Sequence, residues 1–203
     1  AKGILAVGAV DANEERSSFS SIGYSADGRV KPDVMAMGGS VAYVNSATGL
    51  VAQGSGTSFA SPLISGLCSG LMQAYPKLTH EELIQAVKYS ADRFGEPNAY
   101  YGYGIPNYEK ASDFARLLLD RESELVFPNP FGSHVYIKIR EEEVGYLLNW
   151  KLYTVIGELV GEGDAVMENS LINLFSTGEV FPAGLYCLRT SCNGHLSTFK
   201  LIK

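Results

Sequence analysis

Hydrophobic residues follow two different periods along the chain, and the change falls near residue 120. Up to about Leu119, short apolar runs alternate with segments in which apolar residues recur every three or four positions. This pattern is typical of an α/β fold, and the runs at 4–10 and 33–37 predict strands. Beyond residue 124, apolar and polar residues alternate one by one, which predicts strands with one buried face. We therefore expect two domains of different class.

Three helices are predicted in the first part. The first covers about residues 57–74 and ends before a proline. The second begins at a capping box, in which Thr79 is the N-cap and Glu82 reaches back to it. Asn107 caps the third, which runs through Leu119.

The second part contains only strand signals. Inward and outward positions alternate in two runs: Val135, Ile137 and Ile139 against Tyr136, Lys138 and Arg140, and Leu148, Trp150 and Leu152 against Asn149, Lys151 and Tyr153. Asn193-Gly194 predicts a two-residue hairpin turn, in which both residues need positive φ. Six or seven short strands predict a small antiparallel β-sandwich over 128–203, joined to the α/β domain 1–119 by a charged linker, 120–127.

Composition excludes several classes of protein. With 203 residues, 46% apolar and 19% charged, the chain is long enough for two folded domains and too apolar to be disordered. The net charge is −6 and no basic cluster is present, so nucleic acid is not expected as a partner. No apolar run is long enough to predict a transmembrane segment.

Neither the cysteines nor the histidines predict a metal site. Cys68, Cys187 and Cys192 are interpreted as small apolar core residues, and His80, His134 and His195 as surface residues. No spacing typical of metal ligands joins them. The chain also begins directly in an apolar strand-like run without an initiator methionine, so we expect Ala1 to follow a cut in a longer polypeptide.

The stretch QGSGTSFASP, residues 53–62, places Ser58 between glycines and a predicted helix. A serine in the first helical turn lies beside free N–H groups and the positive end of the helix dipole, which suits a nucleophile whose attack creates an oxyanion. The same spacing fits a Ser58 that merely follows a Thr57 N-cap. Spacing alone leaves both interpretations open.

The segments ILAVGAVD, SFSSIG, KPDVMAMG, GSGTSFASP and YGYGIPN occur in the order found in the carboxyl-terminal third of subtilisin-like serine peptidases, which residues 3–115 resemble. The resemblance implies that Ser58 is the catalytic nucleophile and that Thr57 supports the oxyanion site. The motif's other positions fall on Gly56, Ala60, Ser61 and Pro62.

The resemblance also shows departures and missing parts. Leu63 stands where the family usually has histidine, and Met37 where it usually has proline. In the family, the triad aspartate, the triad histidine and the oxyanion asparagine all precede the nucleophile, and no histidine precedes Ser58 here. We therefore expect this chain alone to be inactive and the longer parent to be the enzyme.

Residues 125–203 resemble the carboxyl-terminal sorting domain of the type IX secretion system of Gram-negative bacteria. The resemblance rests on Pro128-Asn129-Pro130, the turn at Gly157, the segment Pro182-Ala183-Gly184-Leu185-Tyr186 and the ending Lys200-Leu201-Ile202-Lys203. It implies docking of residues 128–203 on outer-membrane secretion machinery. An accessory, carbohydrate-binding sandwich is the alternative, although the expected inward position of Trp150 gives it little support.

Together these features predict a secreted or surface-exposed subtilisin-like serine endopeptidase of a Gram-negative bacterium, which acts on polypeptides and needs no organic cofactor. Structural calcium is common in such enzymes, but no ligand set can be assigned. Two alternatives remain: a non-catalytic surface pseudopeptidase or adhesin, and a chain whose own activity is only the sorting signal. The stretch 120–127, charged and extended, is the expected site at which a protease would remove the tail.

Overall fold

The computed structural model describes residues 3–132, 134–168, 170–176 and 181–203, without the side chains of residues 134, 175 and 176. Ala1 and the side chain of His134, for which predictions were made, lie outside the described residues. The chain divides into two compact units, Ala1–Leu119 and Asp120–Lys203, and each is described by itself.

The described part of the first unit contains six short strands and three helices. They are β1 (Val7–Val10), β2 (Gly23–Tyr24), β3 (Val30–Lys31), β4 (Val34–Met37), β5 (Val41–Val44), β6 (Val51–Gly54), α1 (Thr57–Ala74), α2 (His80–Tyr89) and α3 (Tyr108–Leu119).

Parallel strands β1 and β4 form the centre of the first unit, with Val7 opposite Val34. Both strands are shorter than predicted. The Ala6 amide donates to a carboxylate oxygen of Asp33 at 2.7 Å instead of to strand backbone, and the Asp33 amide donates to the Ala6 carbonyl at 2.7 Å. Regular pairing therefore begins only after these residues. The antiparallel hairpins β2–β3 and β5–β6 were not predicted.

All three predicted helices are confirmed. α1 packs against β1 and β4, and it contributes Ala60, Ile64 and Leu71 to the core. At α2 the capping box is complete, because the Thr79 side chain accepts from the Glu82 amide and the Glu82 carboxylate accepts from the Thr79 amide. At α3 the Asn107 side chain accepts from the Lys110 amide at 3.0 Å.

The described part of the second unit contains seven strands and a short 3-10 turn (Glu141–Glu143). The strands are β7 (Leu125–Phe127), β8 (His134–Lys138), β9 (Leu147–Thr154), β10 (Leu159–Val166), β11 (Leu171–Ser176), β12 (Leu185–Cys192) and β13 (His195–Ile202). They form two antiparallel sheets, with strand orders β10-β9-β12-β13 and β11-β8-β7.

One hydrophobic cluster joins residues of both sheets, including Val135 and Ile137 from β8 and Leu152 and Leu188 from β9 and β12. Trp150 is buried in the same cluster, as the alternation predicted. The hairpin between β12 and β13 is confirmed. Asn193 and Gly194 adopt φ values of 47° and 81°, the positive values that such a turn requires.

Two expectations for the second unit are wrong. Tyr136 and Lys138 were predicted to face solvent, but both are buried, because the Phe127 ring stacks on Tyr136 and the segment with the Asp120 and Ser123 carbonyls contacts the Lys138 ammonium. Residues 125–127 were assigned to a linker, but they form β7, which pairs with β8 and buries Phe127.

The three cysteines are free thiols. Among the described residues, no helix has the length and the apolar content that crossing a membrane requires.

Candidate active site

Ser58 is the second residue of α1 and is exposed. The N-cap is Gly56, which has no side chain to offer, and no side-chain hydrogen bond caps this end of the helix. The first turn carries no acidic residue. The free N–H groups and the positive end of the helix dipole are therefore available beside the Ser58 hydroxyl for an anion.

Pro62 lies inside α1, four residues after Ser58. Proline has no N–H, so the Ser58 carbonyl lacks the usual partner within the helix. Thr57 and Ser61 are exposed beside Ser58, whereas Ala60 is fully buried beneath the turn. The structure therefore places all six motif residues, Gly56 to Pro62 except Phe59, around one helix start, and their catalytic roles stay predictions.

Close packing fixes the position of this helix start. The Gly56 amide donates to the Gly38 carbonyl at 2.8 Å, just after β4. A Cβ atom at Gly38 would lie 2.7 Å from the Gly56 oxygen, 2.8 Å from the Ala9 Cβ and 3.3 Å from the Ala60 Cβ. Any side chain at position 38 would collide with these atoms, so glycine is required there.

The β5–β6 hairpin supplies a second support that sequence reasoning missed. The rings of Tyr43 and Phe59 lie 5.5 Å apart, and a Cβ at Gly54 would lie 2.9 Å from Phe59 and 3.0 Å from Tyr43. The Ser40 amide also donates to the Ser55 hydroxyl at 2.9 Å. The sequence shows that Phe59 follows Ser58 directly. Its contact with Tyr43 was not predictable, because it forms only when the β5–β6 hairpin brings Tyr43 to the start of α1.

Asp33 is a buried charged group of this unit, with 1% of its side chain exposed. It pairs with Lys88 at 2.7 Å and with Lys31, and it accepts the Ala6 amide. Burial alone would raise the pKa of Asp33, but the Lys88 ammonium, the Ala6 amide and Lys31 hold it below the ordinary value of 3.8. Asp33 therefore stays ionised and ties the start of β4 to α2.

The described histidines lie elsewhere in the structure. The His80 ring contacts the Gly3 carbonyl, and in the second unit the His195 ring nitrogen Nε2 lies 2.7 Å from the Arg140 guanidinium. Within the described part of the chain, neither ring contacts Ser58. Among the residues described, no group of three or more His, Cys, Asp and Glu side chains is arranged to hold a metal ion.

Comparison with known proteins identifies the class. The model of the Subtilase family matches residues 1–104, slightly more than half of the chain, so the chain belongs to that family. The match contains the whole helix start that carries Ser58.

Two curated relatives extend the comparison. Subtilisin DY of Bacillus licheniformis is 36% identical over 109 residues, which are 54% of this chain and 37% of that protein. Serine protease AprX of Bacillus subtilis (strain 168) is 30% identical over 130 residues, with 53% of this chain and 29% of that protein covered. The chain thus spans only about a third of the length of these relatives.

Among solved structures, the self-cleaved protease domain of PatA is 25% identical and has a TM-score of 0.47, with 57% of this chain and 42% of that chain covered.

Proposed function

We propose that this chain is part of a serine endopeptidase in which Ser58 is the nucleophile. The observation that carries the proposal is the exposure of Ser58 at a helix N-terminus that no side chain caps. Because the chain belongs to the subtilase family, we interpret this exposed serine as the nucleophile of a peptidase. The substrates would be polypeptides.

The proposed reaction proceeds through an acyl-enzyme. A base removes the Ser58 hydroxyl proton while the oxygen attacks the carbonyl carbon of a peptide bond, and the carbonyl oxygen becomes an oxyanion. N–H groups of the first turn of α1 stabilise that charge, supported by Thr57. The C–N bond then breaks, the base returns the proton to the leaving amine, and water hydrolyses the ester.

The base, its orienting carboxylate and an oxyanion asparagine are proposed to lie in sequence preceding residue 1 of the parent protein. This follows from the family order, in which these groups come before the nucleophile. Residues 1–203 alone are accordingly proposed to be inactive.

A fluorophosphonate probe tests the proposal, because it labels only a serine that a base activates. The parent protein should gain the mass of one adduct, its Ser58→Ala variant none, and its Ser65→Ala variant one, since Ser65 is an exposed serine of the same helix outside the motif. A folded parent without any adduct would contradict the proposal and favour a surface pseudopeptidase or adhesin.

We further propose that the second unit is a β-sandwich that directs export by docking on outer-membrane secretion machinery, and that the parent is secreted or held at the surface of a Gram-negative bacterium. Three segments of the resemblance lie together in this unit, which supports the proposal. Asn129 donates to the Lys200 carbonyl and accepts from the Ile202 amide, both at 2.9 Å. The backbones of Gly184 and Lys203 exchange two hydrogen bonds.

The export proposal has its own test. A reporter protein fused to residues 120–203 should reach the surface of a cell that has the type IX system, and the unfused reporter should stay in the periplasm. A fused reporter that also stays in the periplasm would refute the export role and leave the peptidase proposal intact.

A further inference from the structure

Lys138 is an unusual residue in the second unit because none of its surface is exposed. It lies on the central strand β8, where its register partners are Leu125 on β7 and Leu171 on β11. A buried ammonium group is costly unless its donors are satisfied. The groups that the Lys138 ammonium contacts therefore indicate its structural role.

The Lys138 ammonium donates to two backbone carbonyls of the segment that precedes β7. One is the carbonyl of Asp120, and the other is that of Ser123, at 2.6 Å. Both carbonyls belong to one short turn, in which the Ser123 amide and hydroxyl also contact the Asp120 carbonyl. A single buried side chain thus fixes both ends of this turn.

Further contacts hold the rest of the same segment. Glu124 forms an ion pair with Arg140 at 3.4 Å, with only 15% and 20% of the two side chains exposed. The Arg121 carbonyl accepts from the Glu141 amide at 3.4 Å. Residues 125–127 then enter the sheet as β7.

We propose that Lys138 is a latch that fixes residues 120–127 to the second unit and shields this segment from proteases. A protease binds its substrate in an extended form, so a native segment must first open locally before it is cut. When residues 120–123 open, the buried Lys138 ammonium loses two of its hydrogen-bond acceptors. Because an unsatisfied buried charge is costly, the open state should be rare. This inference replaces the expectation that 120–127 is an accessible linker, and it does not depend on the export proposal.

Limited trypsin digestion of the 203-residue chain, in a Ser58→Ala background, tests the latch. Lys138→Met keeps most of the side-chain length but removes the donors, and cleavage after Arg121 should become at least about tenfold faster. Lys151→Met is the matched control, because Lys151 is an exposed lysine of the same unit whose partner Glu162 is also exposed. It should leave cleavage after Arg121 unchanged.

Fluorescence of Trp150, which is buried in the second unit, separates local opening from global unfolding. Lys138→Met should keep the unfolding midpoint of Trp150, because Lys138 alternates with the core residues Val135 and Ile137 along β8 and so does not belong to the cluster that buries Trp150, while cleavage accelerates. Cleavage after Arg121 at the same rate in Lys138→Met and in the unchanged chain would overturn the proposal.

Hydrogen exchange of the unchanged chain provides a test that needs no variant. The Ser123 amide, which donates to the Asp120 carbonyl within the turn that Lys138 holds, should be protected in the native state. Exchange of this amide at the rate of an unfolded peptide would overturn the proposal, even if Lys138→Met failed to fold.

Discussion

Each unit buries charged side chains, and two of them, Asp33 and Lys138, make different kinds of contact. In the first unit, the carboxylate of Asp33 is met by two lysines, Lys31 and Lys88. In the second, the ammonium of Lys138 is met by the backbone carbonyls of Asp120 and Ser123. The ion pairs of Asp33 join different elements of the first unit and therefore stabilise that unit as a whole. The two carbonyl contacts of Lys138 lie in one turn, so they fix the position of residues 120–123.

Asp33→Asn should have the largest effect on stability. It leaves Lys31 and Lys88 without their common carboxylate in a largely buried position, and the loss of one partner of such a pair costs about 3 kcal/mol. Far-UV circular dichroism should detect this, because all three α-helices described lie in the first unit. Trp150 fluorescence should not change.

The control for this variant is Asp27→Asn, because the pair of Asp27 with Arg29 is largely exposed. It should leave the helical unfolding midpoint unchanged. If both variants lowered that midpoint equally, the buried Asp33 pairs would contribute no more to stability than the exposed Asp27 pair. The conclusion that Asp33 stabilises the first unit through its buried pairs would then be wrong.

Gly38→Ala should have an intermediate effect, and it should reach the candidate active site. The new Cβ atom would lie 2.7 Å from the Gly56 oxygen, so the start of α1 must shift, at a cost of about 1 to 3 kcal/mol. In the parent protein, fluorophosphonate labelling of Ser58 should become slower.

Gly66→Ala is the matched control within α1, since nothing beyond the adjacent residues and the nearby backbone of the same helix lies within 4 Å of a Cβ at that position. Alanine should stabilise the helix by about 0.5 to 1 kcal/mol and leave labelling unchanged. Equal labelling rates in the two variants would show that the start of α1 tolerates displacement.

The smallest predicted effect is an opposite response of the two units to acid. Because the pKa of Asp33 is lowered, its contribution is complete above its unfolded value, near 3.8, and is lost as pH falls through the lower folded value. Burial raises the pKa of Glu143 above 4.5, and Glu124 adds to this, while the Arg140 amide, the Arg140 charge and His195 oppose it. The contribution of Glu143 is therefore complete below pH 4.5 and is lost as pH rises through its folded pKa.

Unfolding midpoints measured from pH 7 down to about pH 3 test this difference. Glu143→Gln should raise the Trp150 midpoint at neutral pH and should have less effect at pH 4.5. The helical signal should fall only below about pH 4. A Glu143→Gln effect that grew towards acid pH would contradict the assigned direction.

The sequence predicted best the features that depend on neighbouring residues. The capping box at Thr79, the extent of α1 and the turn at Asn193-Gly194 are all found where local signals indicated them. The start of α1 carries the candidate nucleophile, so the position of Ser58 in its helix was also predictable. These features require only interactions within a few residues.

Contacts between distant residues were not predictable in the same way. The alternation along β8 assigned Lys138 to solvent, because period two cannot indicate that a sheet is covered on both faces. The need for glycine at position 38 arises from its approach to Gly56, and the Tyr43–Phe59 pair requires the β5–β6 hairpin.

The sequence by itself determined the two-part pattern, the three helices and the helix start at Ser58, since backbone propensity and capping are local properties. Only the tertiary structure decided which charges are buried and what satisfies them. Asp33 and Lys138 occupy ordinary strand-like stretches, and their roles depend on partners up to 55 positions away, as from Asp33 to Lys88. Burial is a property of the packed chain, because it depends on every element that covers a residue.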